Sequence, residues 1–278
     1  MIVKVLIDNR RKEDKLKIEH GLSLYVETKT HKCLVDVGLS DAFMKNAQKM
    51  GVDMAEIDYL FISHGHVDHV GGLPYFLKKN KKAQVIISSK ALSQRYFSKR
   101  KGVKNISPNI NIINQLHRFQ FISEDTKINE SIRLIAKIGH TNPIPKANKF
   151  LYKDTCYVGM EQDDFNHELV FCFGEKELLV CTGCAHNGLL NIMDAVKNTI
   201  NLPIKWVVGG FHLLDTDDMN QYETPQEIEK IASQLKKDFS ETLFYTSHCT
   251  GDNVLKQFKN ILKEQVHPFY SGMNIELN

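Results

Sequence analysis

The chain has 278 residues, of which 42% are hydrophobic and 25% are charged, a composition typical of a soluble globular protein. Its net charge of +3 is too small to predict a nucleic acid partner, and no apolar run approaches the ~18 residues that a membrane span needs. Residues 1–8 lack the apolar core of a signal peptide, so we expect a cytoplasmic protein with reduced cysteines.

Short apolar runs bounded by turn residues predict strands along the whole chain. In chain order they cover 2–7, 22–27, 32–36, 58–62, 84–88, 132–138, 168–173, 177–182, 204–208, 242–246 and 266–270. Helices are predicted at 41–50, 188–200, 224–237 and 252–263. Early strands followed by alternating strands and helices indicate a layered α/β protein. No linker or repeat divides the chain, so we predict a single domain over residues 1–278.

The segment from Ser63 to Gly72 contains four side chains that can bind a metal within six consecutive positions. These side chains are His64, His66, Asp68 and His69. The apolar run 58–62 enters the segment, and a helix is predicted to begin at residue 73. A turn between a strand and a helix is where α/β proteins usually build their sites, and imidazole and carboxylate are common metal ligands. The segment therefore predicts a metal site.

This segment resembles the His-x-His-x-Asp-His signature of the metallo-β-lactamase superfamily. Further motifs of the chain follow the same order, at residues 34–38, 181–188, 209–213 and 247–251. Together with residues 19–23 they resemble a branch of metal-dependent hydrolases that includes archaeal proteins assigned to a pterin-condensing step of methanopterin synthesis. The resemblance implies a four-layer αββα sandwich. It also implies that residues 95–165 are an insertion at the rim of the substrate cleft.

Two divalent metal ions are common in this superfamily, with zinc expected ahead of manganese or iron. The resemblance implies that His64 and His66 bind the first ion, and that Asp68 and His69 bind the second. The remaining ligands must come from later loops. We choose His186 and His248 because each follows an apolar strand and precedes a helix, as His64 does.

Other side chains compete for these places. His140 lies in a Gly-His-Thr sequence that often supplies a ligand in the superfamily, and His167 and His212 are further rivals. Cys184 stands where most members have a bridging Asp, so its thiolate either bridges the ions, binds one of them, or leaves the bridge absent. Asp36 matches the superfamily's Asp-x-Gly, whose carboxylate anchors the second nitrogen of a ligating imidazole.

Hydrolysis is the chemistry that such a centre favours, because a bound divalent ion lowers the pKa of its water from about 16 to about 7. Asp68 would orient the resulting hydroxide and accept its proton. The predicted catalytic residues are therefore Asp68 and, through the imidazole that it anchors, Asp36. Our first hypothesis is a hydrolase of a small ester, lactone or phosphoester, and a phosphorylated substrate would suit the lysine-rich stretches.

Two alternatives remain open. The branch resemblance suggests a transferase that displaces pyrophosphate from an activated pterin with an aminobenzene-ribosyl phosphate. The replacement of the bridging Asp by Cys184 keeps open a non-catalytic small-molecule sensor on the same fold. No nucleic acid or membrane partner is expected for any of the three.

Overall fold

The computed structural model describes residues 1–154 and 159–277. The strands in these ranges are β1 (Ile2–Ile7), β2 (Ser23–Glu27), β3 (Lys32–Val35), β4 (Tyr59–Phe61), β5 (Gln84–Ser88), β6 (Arg95–Ser98), β7 (Lys104–Asn105), β8 (Phe119–Ile122), β9 (Thr126–Asn129), β10 (Ile132–Ile135), β11 (Leu151–Asp154), β12 (Met160–Gln162), β13 (Val170–Phe173), β14 (Leu178–Cys181), β15 (Ile204–Gly209), β16 (Leu243–Thr246), β17 (Val266–Pro268) and β18 (Asn274–Glu276). The α-helices are α1 (Ala42–Lys49), α2 (Val67–Val70), α3 (Leu73–Lys79), α4 (Leu189–Thr199), α5 (Pro225–Asp238) and α6 (Asp252–Leu262).

Two seven-stranded sheets form the centre of the fold. The first has the strand order β18-β1-β2-β3-β4-β5-β8, and the second has the order β17-β16-β15-β14-β13-β10-β9. A smaller sheet has the order β12-β11-β6-β7. Each large sheet combines antiparallel hairpins at one end with parallel strands joined by helices at the other, as the alternation of strands and helices in the sequence predicts.

Three apolar clusters fix the order of the layers. One lies between the two large sheets, where the rings of Phe61 and Phe171 have centroids 5.0 Å apart. A second packs the first sheet against α1 and α3 through Phe43 and Phe76. The third packs the second sheet against α4, α5 and α6, with Phe258 fully buried. The predicted four-layer αββα sandwich is confirmed.

The parallel strands of both sheets end at one edge of the sandwich. In the first sheet β3, β4, β5 and β8 run parallel, and in the second β14, β15, β16 and β17 do so. Loops beyond the carboxyl ends of parallel strands are the usual place for a site. The loops at this edge carry Asp36, His64, His186, His212 and His248.

The segment 95–165 contains more regular structure than its sequence suggests. Strand β8 extends the first large sheet, β9 and β10 extend the second, and the other four strands form the small sheet. Tyr96 of β6 is fully buried, and its ring lies 5.3 Å from the ring of His66. The small sheet therefore covers the histidine-rich turn. That the segment forms the rim of a substrate cleft stays a prediction.

Five cysteines lie in the described residues, and all five are buried free thiols. Cys156 falls outside those residues. None of the helices in the described ranges is both long enough and apolar enough to cross a membrane. Cys181 packs in the core between the sheets, whereas Cys184 lies beyond the end of β14.

Asn80, at the end of α3, connects three segments through its buried amide. Its Nδ2 donates to the carbonyl oxygens of Met54 and Ile57 at 2.8 and 2.9 Å. Its Oδ1 accepts from the backbone N–H of Ala83 at 2.7 Å and from Arg118 at 3.0 Å. We expect Asn80→Ala to lower the free energy of unfolding by about 3 kcal/mol, because each buried partner left unpaired costs about 1–3 kcal/mol.

Urea unfolding of both proteins measures this difference. Asn198→Ala is the matched control, because Asn198 is exposed on α4 and its loss should change the free energy of unfolding by less than about 0.5 kcal/mol. An equal effect of the two substitutions would contradict the role assigned to the Asn80 amide.

Candidate metal centre

His64, His66 and His186 form a first group of possible ligands. One ring nitrogen of each lies within 4.8 Å of the other two, and all three residues are buried. Among the described residues, the Nε2 atom of each ring has no hydrogen-bond partner. A buried unpaired polar atom costs about 1–3 kcal/mol, and a neutral imidazole nitrogen is a common zinc ligand. The three rings therefore fit one metal ion.

Asp68, His69 and His248 form a second group beside the first. Asp68 Oδ2 lies 3.7 Å from His69 Nε2 and 3.6 Å from His248 Nε2, and the two Nε2 atoms are 3.1 Å apart. Two imidazoles and a carboxylate are a suitable donor set for a second divalent ion. The structure thus brings all six predicted ligands to one edge of the sandwich, and their binding of metal stays a prediction.

Asp36 contacts the turn that contains Ser63 and His69 and orients both residues. Its Oδ2 lies 2.6 Å from His69 Nδ1 and accepts a hydrogen bond from Ser63 Oγ at 2.6 Å. Its Oδ1 accepts from the backbone N–H of Ser63 at 2.7 Å. A carboxylate at Nδ1 fixes the imidazole tautomer that leaves Nε2 free for a metal. Asp36 acts through His69 in this geometry, because it is fully buried behind that ring.

His186 is anchored by residues that the sequence did not point out. Its Nδ1 lies 3.1 Å from Asn148 Oδ1, and Asn148 Nδ2 donates to its carbonyl oxygen at 2.8 Å. Its backbone N–H donates to Glu168 Oε1 at 2.8 Å, and Asn187 N–H donates to Glu168 Oε2 at 2.9 Å. Asn148 and Glu168 lie in segments without a metal-binding motif, so only their buried positions identify them.

His167 and His140 are both held by hydrogen bonds, and His167 also forms a group of possible ligands with His66 and Asp163. His167 Nδ1 accepts the backbone N–H of Gly65 at 3.0 Å, and its Nε2 lies 3.1 Å from Asp163 Oδ2. Both nitrogens of His167 are therefore occupied, and the ring supports the turn between His64 and His66. His140 is exposed, and its Nε2 lies 2.7 Å from the side-chain oxygen of Asn187.

Of the alternative metal ligands, His212 and Cys184 do lie at the centre. Their ligand atoms and a nitrogen of His186 lie within 4.8 Å of one another. The rings of His212 and His186 have centroids 4.2 Å apart, and neither nitrogen of His212 has a hydrogen-bond partner in the described part of the chain. The sulfur of Cys184 lies 3.2 Å from His69 Nε2, between the two histidine groups.

The backbone is strained at several of these positions. Asp36, Ala185, His212 and His248 have φ values of 59°, 57°, 49° and 54°, in the left-handed region that L-residues other than glycine seldom adopt. Such conformations cost about 1–3 kcal/mol each and persist where the surrounding structure holds them. Their concentration in the loops of one edge supports a functional site there.

Charge favours an ionised Asp68 at this centre. Burial by itself would raise the pKa of Asp68, but neighbouring histidines, His69 first, hold it below its ordinary value. Burial and the surrounding histidines hold the pKa of His64 and that of His186 well below the usual range, so these rings are neutral. Burial lowers the pKa of His69, yet Asp36 and Asp68 raise it to about 9, so an ion that binds His69 Nε2 must displace a proton.

The chain matches both a family model and a solved structure. The family model of the metallo-β-lactamase superfamily matches residues 17–143. The crystal structure of Tm1679, a metal-dependent hydrolase of the β-lactamase superfamily, is 30% identical with a TM-score of 0.82, and the match covers 100% of this chain and 99% of that one. The chain therefore belongs to the metallo-β-lactamase superfamily.

Two relatives from Methanocaldococcus jannaschii also match over most of their length. An uncharacterised protein is 25% identical over 94% of this chain and 94% of its own. The 7,8-dihydropterin-6-methyl-4-(β-D-ribofuranosyl)-aminobenzene-5'-phosphate synthase is 24% identical over 93% of this chain and 90% of its own. The relatives thus include a synthase from the branch of metal-dependent proteins that the sequence motifs suggest.

We expect Asp36→Asn to weaken zinc binding about 10- to 100-fold, because the amide cannot replace both carboxylate oxygens that orient His69 and Ser63. Asn tolerates the left-handed backbone at this position, so the fold should persist. Competition with a chromophoric chelator measures the affinity. Asp41→Asn, at a half-exposed carboxylate beside Lys45, is the control and should leave the affinity unchanged. Unchanged binding by Asp36→Asn would refute the anchoring role.

Proposed function

We propose that the protein is a metal-dependent hydrolase that acts on a small ester, lactone or phosphoester. The observation that carries this proposal is the group of buried Nε2 atoms of His64, His66 and His186, which have no hydrogen-bond partner among the described residues. Of the three, His66 acts on the ionised carboxylate of Asp68. Unpaired nitrogens next to a carboxylate are what a hydrolytic metal centre requires.

His64, His66 and His186 would hold one ion, and Asp68, His69 and His248 would hold the other. We propose zinc for both, because histidine-rich shells suit it. When bound, such ions activate a water molecule for attack and polarise the oxygen of the scissile bond. The protein supplies the rest through its own side chains.

Asp68 is the residue in the best position to handle the proton of the attacking water. Its side chain is 15% exposed, whereas those of His69 and His248 are almost fully buried. A carboxylate that reaches the mouth of the centre can hold a water molecule and accept its proton. The neighbouring histidines keep it ionised for that purpose. Asp36 keeps the adjacent His69 ring in place and does not contact the substrate.

The space at this edge supports a small substrate. A cavity of about 640 Å³ lies where β5 and β8 end, and Phe165, one of its lining residues, stacks on the ring of His186 at 4.5 Å. Cavities of about 300–1,000 Å³ suit small molecules. Lys90 and His140 line it together with Glu124 and Asp164, so the cavity offers both basic and acidic contacts to a polar substrate.

A second candidate function is the transferase reaction, in which an aminobenzene-ribosyl phosphate displaces pyrophosphate from an activated pterin. The observation that favours it is the 24% identity to the archaeal synthase over 93% of this chain. The same metal centre would then bind the leaving pyrophosphate.

We expect His66→Ala to abolish hydrolysis and most metal binding while the far-ultraviolet circular dichroism stays unchanged, because one of three donors to an ion is lost. Elemental analysis of protein purified without a histidine tag gives the metal content. His117→Ala is the matched control, because His117 is exposed. Normal metal content in the His66 variant would show that the ligand assignment is wrong.

The reaction itself is tested with the metal-loaded protein on nitrophenyl esters, lactones and phosphodiesters, and separately with the pterin pyrophosphate and the aminobenzene-ribosyl phosphate together. Hydrolysis that disappears in His66→Ala supports the first proposal. Coupling of the two substrates, with pyrophosphate released and no generic hydrolysis, would replace it by the transferase. Metal binding without either reaction would favour a sensor on the same fold.

A further inference from the structure

Two cysteines from different loops meet at the metal centre. Cys184 follows β14 and Cys249 follows β16, and both are almost fully buried, at 4% and 7% exposed. Their two sulfur atoms and a ring nitrogen of His248 all lie within 4.8 Å of one another. Two sulfurs and an imidazole at such distances can converge on one ion.

The surroundings of Cys249 differ from those of a cysteine that serves as a small apolar residue. Cys33, Cys172 and Cys181 belong to the apolar clusters that pack the sheets and helices. Within the described residues, those clusters include neither Cys184 nor Cys249. Buried thiols among polar ring nitrogens rather than among aliphatic side chains indicate a chemical role.

The backbone directs the sulfur of Cys249 to this place. In an extended segment, successive side chains point to opposite sides. His248 instead has a φ of 54°, so the left-handed turn allows His248 and Cys249 to face the centre together. A Cβ at Gly210 would come within 2.4 Å of the Cys249 sulfur, so the glycine leaves the room that this sulfur occupies.

The sulfur of Cys249 takes part in two hydrogen bonds, because it accepts one from a backbone N–H and donates one to the carbonyl oxygen of Cys184 at 3.7 Å. The backbone N–H of His212 points at this sulfur and donates a hydrogen bond at 3.2 Å. Hydrogen bonds from a backbone N–H to sulfur are common around metal-bound cysteines. The sulfur of Cys184 lies 3.2 Å from His69 Nε2, so the two cysteines together contact both His248 and His69.

We propose that Cys184 and Cys249 both bind, as thiolates, the metal ion that His248 holds. On binding, each sulfur forms a bond to the ion and its proton passes to solvent, without any change in oxidation state. Thiolate donors select zinc, cobalt(II) and iron(II) over magnesium and manganese(II). The inference rests on the proposed metal centre and adds to it the class of metal ion and a second sulfur ligand.

Cobalt(II) provides the test, because thiolate bound to cobalt gives a charge-transfer band in the near ultraviolet whose intensity rises with the number of sulfur ligands. The reduced protein is loaded with cobalt(II) under nitrogen, and its spectrum is compared with those of Cys184→Ala, Cys249→Ala and the control Cys172→Ala. We expect each of the first two variants to lose about half of the band and the control to keep all of it. A full band in a folded Cys249→Ala protein would overturn the proposal.

Cadmium-113 NMR of the unaltered protein gives a second measurement that needs no variant. The shift of a cadmium ion moves downfield with each bound sulfur, so one resonance in the range of two-sulfur sites is expected. Resonances confined to nitrogen and oxygen sites, or to one sulfur, would overturn the inference while the proposed hydrolase stands. Failure of the protein to bind cobalt or cadmium at all would overturn the proposed function and this inference with it.

Discussion

The centre of this protein depends on a single physical constraint, the burial of imidazole nitrogens that have no hydrogen-bond partner within the described chain. Nε2 of His64, His66 and His186 is buried without such a partner, as are both nitrogens of His212, although His66 Nε2 lies 3.7 Å from Asp163 Oδ2. Each such atom costs about 1–3 kcal/mol when nothing binds it. In the proposed function a metal ion supplies the missing partner, and its binding would then stabilise the fold.

That constraint explains why the supporting residues are buried as deeply as the ligands. Asp36 holds His69, Asn148 and Glu168 hold His186, and His167 holds the backbone of Gly65. An imidazole binds a metal only if its ring is oriented, and the orientation is set by the hydrogen bond at the other nitrogen. Asp36 follows the parallel strand β3, whereas Asn148, His167 and Glu168 come from the segment between β10 and β13.

The general fold was open to prediction because its large strands are continuous apolar runs separated by turn residues. Strands such as β13 and β14 are buried on both faces, so their sequences are uniformly hydrophobic and easy to recognise. Within 95–165, strands β7 and β12 are two and three residues long and fully exposed, and β6 has one buried residue among four. Their pairing partners, rather than their own residues, define them as strands, so a pattern in the sequence could not reveal them.

The amino-acid sequence by itself determined the local part of the centre, because His64, His66, Asp68 and His69 belong to one short turn whose spacing already makes them neighbours. It left open which later residue completes the first group. His140, His167 and His186 all have plausible local sequences, and they are 76, 103 and 122 residues away from His64 in the chain. Only the tertiary structure shows how their ring nitrogens are partnered. It exposes His140, uses both nitrogens of His167 for the turn, and leaves Nε2 of His186 free, since hydrogen-bond partners at such separations are set by sheet packing and not by local pattern.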